Sequence, residues 1–301
     1  MAIFETTVDA LVERLGRLVL HDWREGTATG GTTATIIDTV HRDEPDDFFQ
    51  NTSPVSRAYI RTTTDGATPI GEERKAIDFV NSSATLTVAP VYSVAPAAGD
   101  TYVIMRLFRW AELREAINSA IDQVKSEVLI PKIDDTSVSL AADAYEYTLP
   151  SDFVYINRLQ MADDSENFFD EPVPPMQYRI VKSSSSPRLL FLKAPESIAA
   201  TDHYYSNYWF SSVGTAGRKL RIEGLQVHPT LENDTDICYV NPNYIAAQAG
   251  AWLHLQLASR SDMDADAHMT QFNTWQAIAN QIRMSQGFKT QLPPNSKKVG
   301  W

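Results

Sequence analysis

Cysteine is almost absent. Cys238 is the one cysteine in 301 residues, which excludes an internal disulfide framework and a cysteine-based zinc site. Long hydrophobic runs are missing too: no stretch of eighteen apolar residues occurs, so no segment reads as a membrane-spanning helix. Positive charge is scarce, with 26 Lys and Arg against 38 Asp and Glu and a net charge of −12. A classical nucleic-acid binder needs a basic surface to neutralise phosphates, and this balance argues against one. Catalytic signatures are lacking as well. There is no G-x-S-x-G elbow, P-loop, G-x-G-x-x-G or H-E-x-x-H, and the six histidines are scattered without ligand spacing. The expectation is a non-enzymatic protein with no catalytic residue, no metal and no cofactor.

What is present reads as globular. Apolar residues make up 43% and charged residues 21% of the chain, enough for two or three modules that each bury a core. Residues 4–20 predict an amphipathic helix with Val8, Leu11, Leu15, Leu18 and Val19 on one face. Glu5, Asp9, Glu13, Arg14 and Arg17 within it argue against a signal peptide, and synthesis in the cytoplasm is expected. Helical spacing returns at Leu113, Ala116, Ile117, Ala120, Ile121, Val124 and Val128 and stops at Pro131. Between these helices lie short β-type runs such as 56–63, 76–80, 85–89 and 102–107. They are separated by turn signals, including Asp65-Gly66 and Gly99-Asp100. A second set of β-type runs fills 137–239.

The most legible stretch is C-terminal. A helix through Tyr244, Ile245, Ala247, Gly250, Leu253, His254 and Leu257 is followed by Asp262 as a candidate N-cap. A second helix then carries Met269, Phe272, Trp275, Ile278, Ala279 and Ile282. Gly287 ends it, and Pro293 and Pro294 prevent its continuation. The expected fold class is α+β: a four-helix bundle core with two inserted antiparallel β-domains and an extended C-terminal tail. The helical bundle would take 1–25, 108–133 and 241–287, the β-domains 26–107 and 134–240, and the tail 288–301.

Several clusters could carry chemistry. Asp262, Asp264, Asp266 and His268 begin like a calcium loop, but Ala267 stands where that loop needs glycine and Asn273 where it needs a bidentate glutamate. Acids complementing a helix dipole explain them better. Asp43, Glu44, Asp46 and Asp47 read as a solvated turn. Tyr204, Tyr205, Tyr208 and Trp209 could form a sugar-stacking platform or an inward strand face. The tail is the strongest candidate. From Phe288 to Trp301 it holds three lysines and no acid, with apolar residues at both ends. Its docking residues would be Phe288, Lys289, Leu292, Pro293, Pro294, Lys297, Lys298, Val299 and Trp301, by anchoring or by strand addition to a sheet edge.

Tyr147-Thr148-Leu149-Pro150-Ser151-Asp152-Phe153, within the stretch from Tyr145 to Leu159, resembles the Y-x-L-P-x-D-F segment of head–tail connector proteins (neck adaptors) of tailed bacteriophages. In that family the segment follows a helix like Leu113–Ile121 and precedes a C-terminal helical hairpin, as here. Asp47-Phe48-Phe49, Tyr59-Ile60, Gly71-Glu72-Glu73-Arg74 and Ala97–Tyr102 also resemble an insert of phage neck proteins. The resemblance implies a structural virion protein at the head–tail interface, a dodecameric homo-oligomer ring seated beneath the portal protein. The ring would join the portal to the next neck or tail protein, with DNA passing through its channel without sequence-specific binding. The alternative is a distal tail or host-carbohydrate-binding protein that uses the aromatic β-domain.

Overall fold

The computed structural model describes residues 4–50, 54–141, 144, 146–162, 168, 172–181, 187–191, 219–285 and 287–299. The chain divides into two compact units, Ala2–Val124 with Thr230–Phe288, and Lys125–Pro229 with Lys289–Trp301. No helix among the described residues is long and apolar enough to cross a membrane.

The first unit is built on a seven-stranded antiparallel sheet. In chain order its strands are β2 (Arg24–Thr27), β3 (Gly30–Thr32), β4 (Thr35–Ile37), β5 (Arg57–Thr62), β6 (Glu73–Val80), β7 (Thr85–Ala89) and β8 (Thr101–Met105). They lie side by side in the order β2-β8-β5-β6-β7-β4-β3. Alternation places Leu86 and Val88 of β7 inward, where they join Ile36, Ile60, Ala76, Phe79 and Tyr102 in one core. Phe49 meets the Phe79 ring edge-on at 5.0 Å, a favoured aromatic geometry. The glycine- and threonine-rich start of this region forms β2 and β3, two short strands that no hydrophobic alternation announces.

Helix α1 (Val8–Arg14) starts where Thr7 accepts a hydrogen bond from the Ala10 N–H at 3.3 Å. It runs on into a π-helical turn, Leu15–Leu20, closed by His21 in the left-handed region at φ 51°. The wider turn rotates the following residues off the 3.6-residue stripe. Val19 and Leu20 are therefore buried, whereas Leu18, expected inward, is 55% exposed. Strand β1 (Thr6–Thr7), just before α1, pairs with β15 (Ile237–Cys238). Helix α2 (Trp110–Asp122) buries Trp110, Leu113, Ala116, Ile117, Ala120 and Ile121. Helix α3 (Pro242–Ala258) begins on an Asn241 cap with Pro242 in its first turn, and is buried from Tyr244 through Ala251 and again at Leu253, His254 and Leu257. A side chain at Gly250 would collide with Val19, so the small residue there sets the close approach of these two segments. Helix α4 (Ala265–Arg283) starts at Asp264, two residues beyond the expected Asp262, with the Asp264 carboxylate accepting from the Ala267 N–H at 3.1 Å.

The expected four-helix bundle core is not formed. The protein is β-rich, with sixteen strands in four sheets and four α-helices among the described residues. A bundle needs every helix to turn an apolar stripe into a shared interior. Here α1 is only seven residues long before its geometry changes, and α4 buries a single residue, Ala279. α4 lies on α3, while α1 and α2 pack on α3 and on each other. The stripe Met269, Phe272, Trp275, Ile278 and Ile282 is helical as its spacing requires, but none of these residues is fully buried. Periodicity reported the helix correctly and its burial wrongly, because a stripe does not say how many neighbours cover it.

The second unit contains two sheets with one core. One sheet has the order β16-β11-β14-β9, formed by β9 (Ile130–Asp134), β11 (Phe153–Met161), β14 (Leu220–Gln226) and β16 (Lys297–Lys298). The other has the order β10-β13-β12, formed by β10 (Glu146–Thr148), β12 (Tyr178–Val181) and β13 (Arg188–Phe191). Phe153, Ile156, Leu159 and Ile222 from the first sheet pack with Tyr147, Tyr178, Leu189 and Phe191 from the second. Helix α2 ends at Asp122 and not at Pro131, so Val124 and Val128, expected on its stripe, are buried outside the helix. Pro131 instead sits inside β9, which is possible because β9 is an edge strand. Opposite the bulged part of β11, a side chain at Gly224 would collide with the Tyr155 carbonyl and the Phe153 ring, so glycine is what lets β14 approach there.

Candidate docking site

The C-terminal segment is where the sequence concentrates its interaction signals, and the structure describes it from Gly287 to Val299. Phe288 follows Gly287, which takes φ +86°. It is 7% exposed and meets the Tyr244 ring at 4.9 Å within the first unit. In the second unit Lys289 pairs with Glu127 at 3.4 Å. Thr290 donates its N–H to the Glu127 carbonyl at 2.9 Å and accepts the Leu129 N–H at 2.8 Å on its hydroxyl. Leu292 is 45% exposed, and Pro293 and Pro294 are exposed beside it. The Ser296 N–H then closes a turn onto the Pro293 carbonyl at 3.0 Å, and its hydroxyl reaches Asn157 Oδ1 at 2.7 Å.

Past this turn the chain becomes a strand. β16 adds to the edge of β11, with Lys298 opposite Tyr155 and Lys297 opposite Ile156. The Val299 N–H extends the ladder to the Val154 carbonyl at 2.8 Å. Alternation turns Val299 inward, fully buried in the core of the second unit, and leaves Lys298 exposed. Lys297 lies along the surface, its ammonium 3.9 Å from the centre of the Tyr178 ring and donating to the Pro175 and Tyr178 carbonyls. Partial burial lowers its pKa from the ordinary lysine value. Trp301 lies outside the described residues. An edge strand otherwise offers unpaired N–H and C=O groups, and β16 covers the start of that row on β11, at Val154, Tyr155 and Ile156.

The structure separates the predicted residues into two groups. Phe288, Lys289, Lys297 and Val299 contact their own chain, while Leu292, Pro293, Pro294 and Lys298 face outward. Composition did not reveal the receptors of the segment, Glu127, Asn157 and Tyr178.

The acidic candidates serve as caps, turn contacts and ion pairs. Asp262 pairs with Arg260 at 3.3 Å, and Asp264 caps α4. Glu44 pairs with Arg24, Asp46 accepts the Asn81 N–H at 2.7 Å, and Asp47 bonds Gln50 within its turn. No group of three or more His, Cys, Asp or Glu among the described residues could hold a metal ion. Tyr204, Tyr205, Tyr208 and Trp209 lie outside the described residues.

The sequence profile of the SU10 adaptor protein family matches residues 75–294, well over half of the chain. The chain belongs to the SU10 adaptor protein family. It is therefore a bacteriophage structural adaptor, a component of the virion that interacts with other virion components. The matched stretch runs from β6 through α2, the second unit, α3 and α4 to Pro294 at the exposed turn of the C-terminal segment. No curated protein matches the chain.

Proposed function

We propose that this SU10-family protein is a head–tail adaptor: a homo-oligomeric, dodecameric ring that joins the portal to the next neck or tail component and surrounds the path of the DNA. The family match over residues 75–294 carries this reading. The C-terminal segment supports it. A strand latched by a buried valine holds an exposed turn, Leu292-Pro293-Pro294, in a fixed shape, and a preformed turn loses little entropy on meeting a partner. In this reading Leu292, Pro293, Pro294 and Lys298 contact the portal, and Phe288, Lys289, Lys297 and Val299 hold them in place. Copies would meet through a heterologous interface that closes into a ring. A net charge of −12 suits a lumen past which a polyanion slides without sticking. No catalytic step and no cofactor enters this role.

The test is the native mass of the purified full-length chain, alone and mixed with its portal ring. The expected result is a defined multimer on the portal, weakened by Leu292→Asp combined with Lys298→Glu. Both positions are exposed, so the variant keeps the fold. A chain whose mass is indifferent to the portal overturns the proposal, and full binding by the double variant removes the exposed turn from it.

A further inference from the structure

Five cationic side chains from four parts of the chain meet at one depression of about 340 Å³ in the first unit: Arg57 on β5, Lys75 on β6, Arg106 and Arg109 just before α2, and Arg260 after α3. Glu112 is the one acid that lines it, and this carboxylate already accepts the Arg109 N–H at 2.7 Å. In a chain with twelve more acids than bases, so local a reversal of sign marks a surface suited to an anion.

The neighbouring acids restrain the arginines without using up all the charge. Arg57 Nε stands 3.6 Å from Glu73 and Arg106 Nε 3.5 Å from Asp22. Arg260 divides its guanidinium between Asp262 at 3.3 Å and the Leu107 carbonyl at 3.2 Å. Glu73 and Asp22 are themselves engaged by backbone donors: Glu73 by the Trp110 N–H at 2.9 Å, Asp22 by the N–H groups of Arg106 and Leu107 at 2.7 and 2.6 Å. Lys75 and Arg109 make no ion pair among the described residues, and both are exposed. The result is a set of partly oriented forks with two exposed cations beside them, an arrangement that matches carboxylates well.

Shape narrows the ligand. Leu107 and Phe108 add apolar wall to the depression. The convex backbone of a DNA duplex reaches only the rim of such a hollow and offers nothing to an apolar wall. A protein segment with carboxylates next to an apolar residue satisfies both features. We infer that this depression is the docking site for an acidic, partly apolar segment of a neighbouring protein. That the neighbour belongs to the virion rests on the adaptor reading; the preference for acidic peptide does not.

The probe is a short fluorescein-labelled peptide rich in Glu and Asp with a central Phe, titrated into the full-length chain and read by anisotropy. The comparisons are the same peptide with Gln and Asn in place of the acids, and a short DNA duplex as competitor. The acidic peptide is expected to bind saturably, more weakly as salt rises, and about tenfold more weakly to the Lys75→Glu/Arg109→Glu double variant. The amide peptide should not bind. The milder Lys75→Gln/Arg109→Gln pair, with far-ultraviolet dichroism and melting unchanged, should fall in between. Absence of saturable binding, equal binding by the charge-reversed variant, or tighter binding of the duplex at the same site overturns the inference. Peptide binding that persists in a chain unable to join the portal would remove the adaptor reading and leave this site standing.

Discussion

The latch formed by Val299 can be tested with one substitution. Val299→Ala removes two carbons from a side chain with no solvent exposure. At about 0.8 kcal/mol per buried carbon the transfer loss is about 1.6 kcal/mol, and the unfilled space raises the total to roughly 2–3 kcal/mol. That is a large share of what a two-residue strand can contribute, since each of its backbone hydrogen bonds adds about 1 kcal/mol net. Two readouts follow. Denaturant unfolding should show a lower midpoint, and native-state hydrogen exchange should show faster exchange of the Val299 amide, which donates to the Val154 carbonyl. Leu292→Ala serves as the control, because a 45% exposed side chain should change stability by less than about 0.5 kcal/mol. Equal effects of the two substitutions, or an unchanged Val299 amide, would show that the segment is not held by this valine, and the fixed exposed turn would lose its basis.

Three further outcomes are expected. Gly224→Val should destabilise the second unit by about 3 kcal/mol or more, because its side chain meets the Tyr155 carbonyl and the Phe153 ring and the strand must move; thermal melting checks it. Asp234→Ala should cost roughly 2–4 kcal/mol in the first unit, since it strands two donors: the Tyr59 hydroxyl and the Trp110 Nε1–H, the latter at 2.8 Å. Asp234→Asn should recover part of that loss. Stability should also fall as pH drops below about 6.5. Burial holds the imidazoles of His41, His228 and His254 below the ordinary histidine pKa. Each therefore binds fewer protons folded than unfolded, and its stability contribution is complete above the unfolded value and shrinks below it, by up to about 1.4 kcal/mol per pH unit per group. Urea midpoints at pH 7.5 and about 5.5 decide it, and no difference between them would mean that these rings are hydrated.

What could be read from the sequence depended on how local the cause was. β7 and β12 occupy the spans that alternation and turn residues predict, because a strand with one buried face writes its burial into its own side chains. β2, β3 and β9 left no such trace: the first two are glycine- and threonine-rich, and the third carries Pro131 at a sheet edge. The helices lie where their spacing predicts, except that α2 ends at Asp122 and does not reach Pro131. Their arrangement differs from the expected bundle, since nothing in the spacing of Phe272, Trp275 and Ile278 tells how many neighbours cover that face. The candidate sites divide in the same way. The basic C-terminal segment could be singled out because its residues are consecutive, although its receptors on β11 and β12 are more than a hundred positions away. The cationic depression could not, because Arg57, Lys75, Arg109 and Arg260 become neighbours only when β5, β6, α2 and the end of α3 are folded together. A net charge of −12 counts these residues, and Arg106 with them, among the minority and says nothing of their grouping. The sign of a protein's total charge is therefore weak evidence about any one surface, and the charge-reversal experiment on Lys75 and Arg109 tests the grouping where composition cannot.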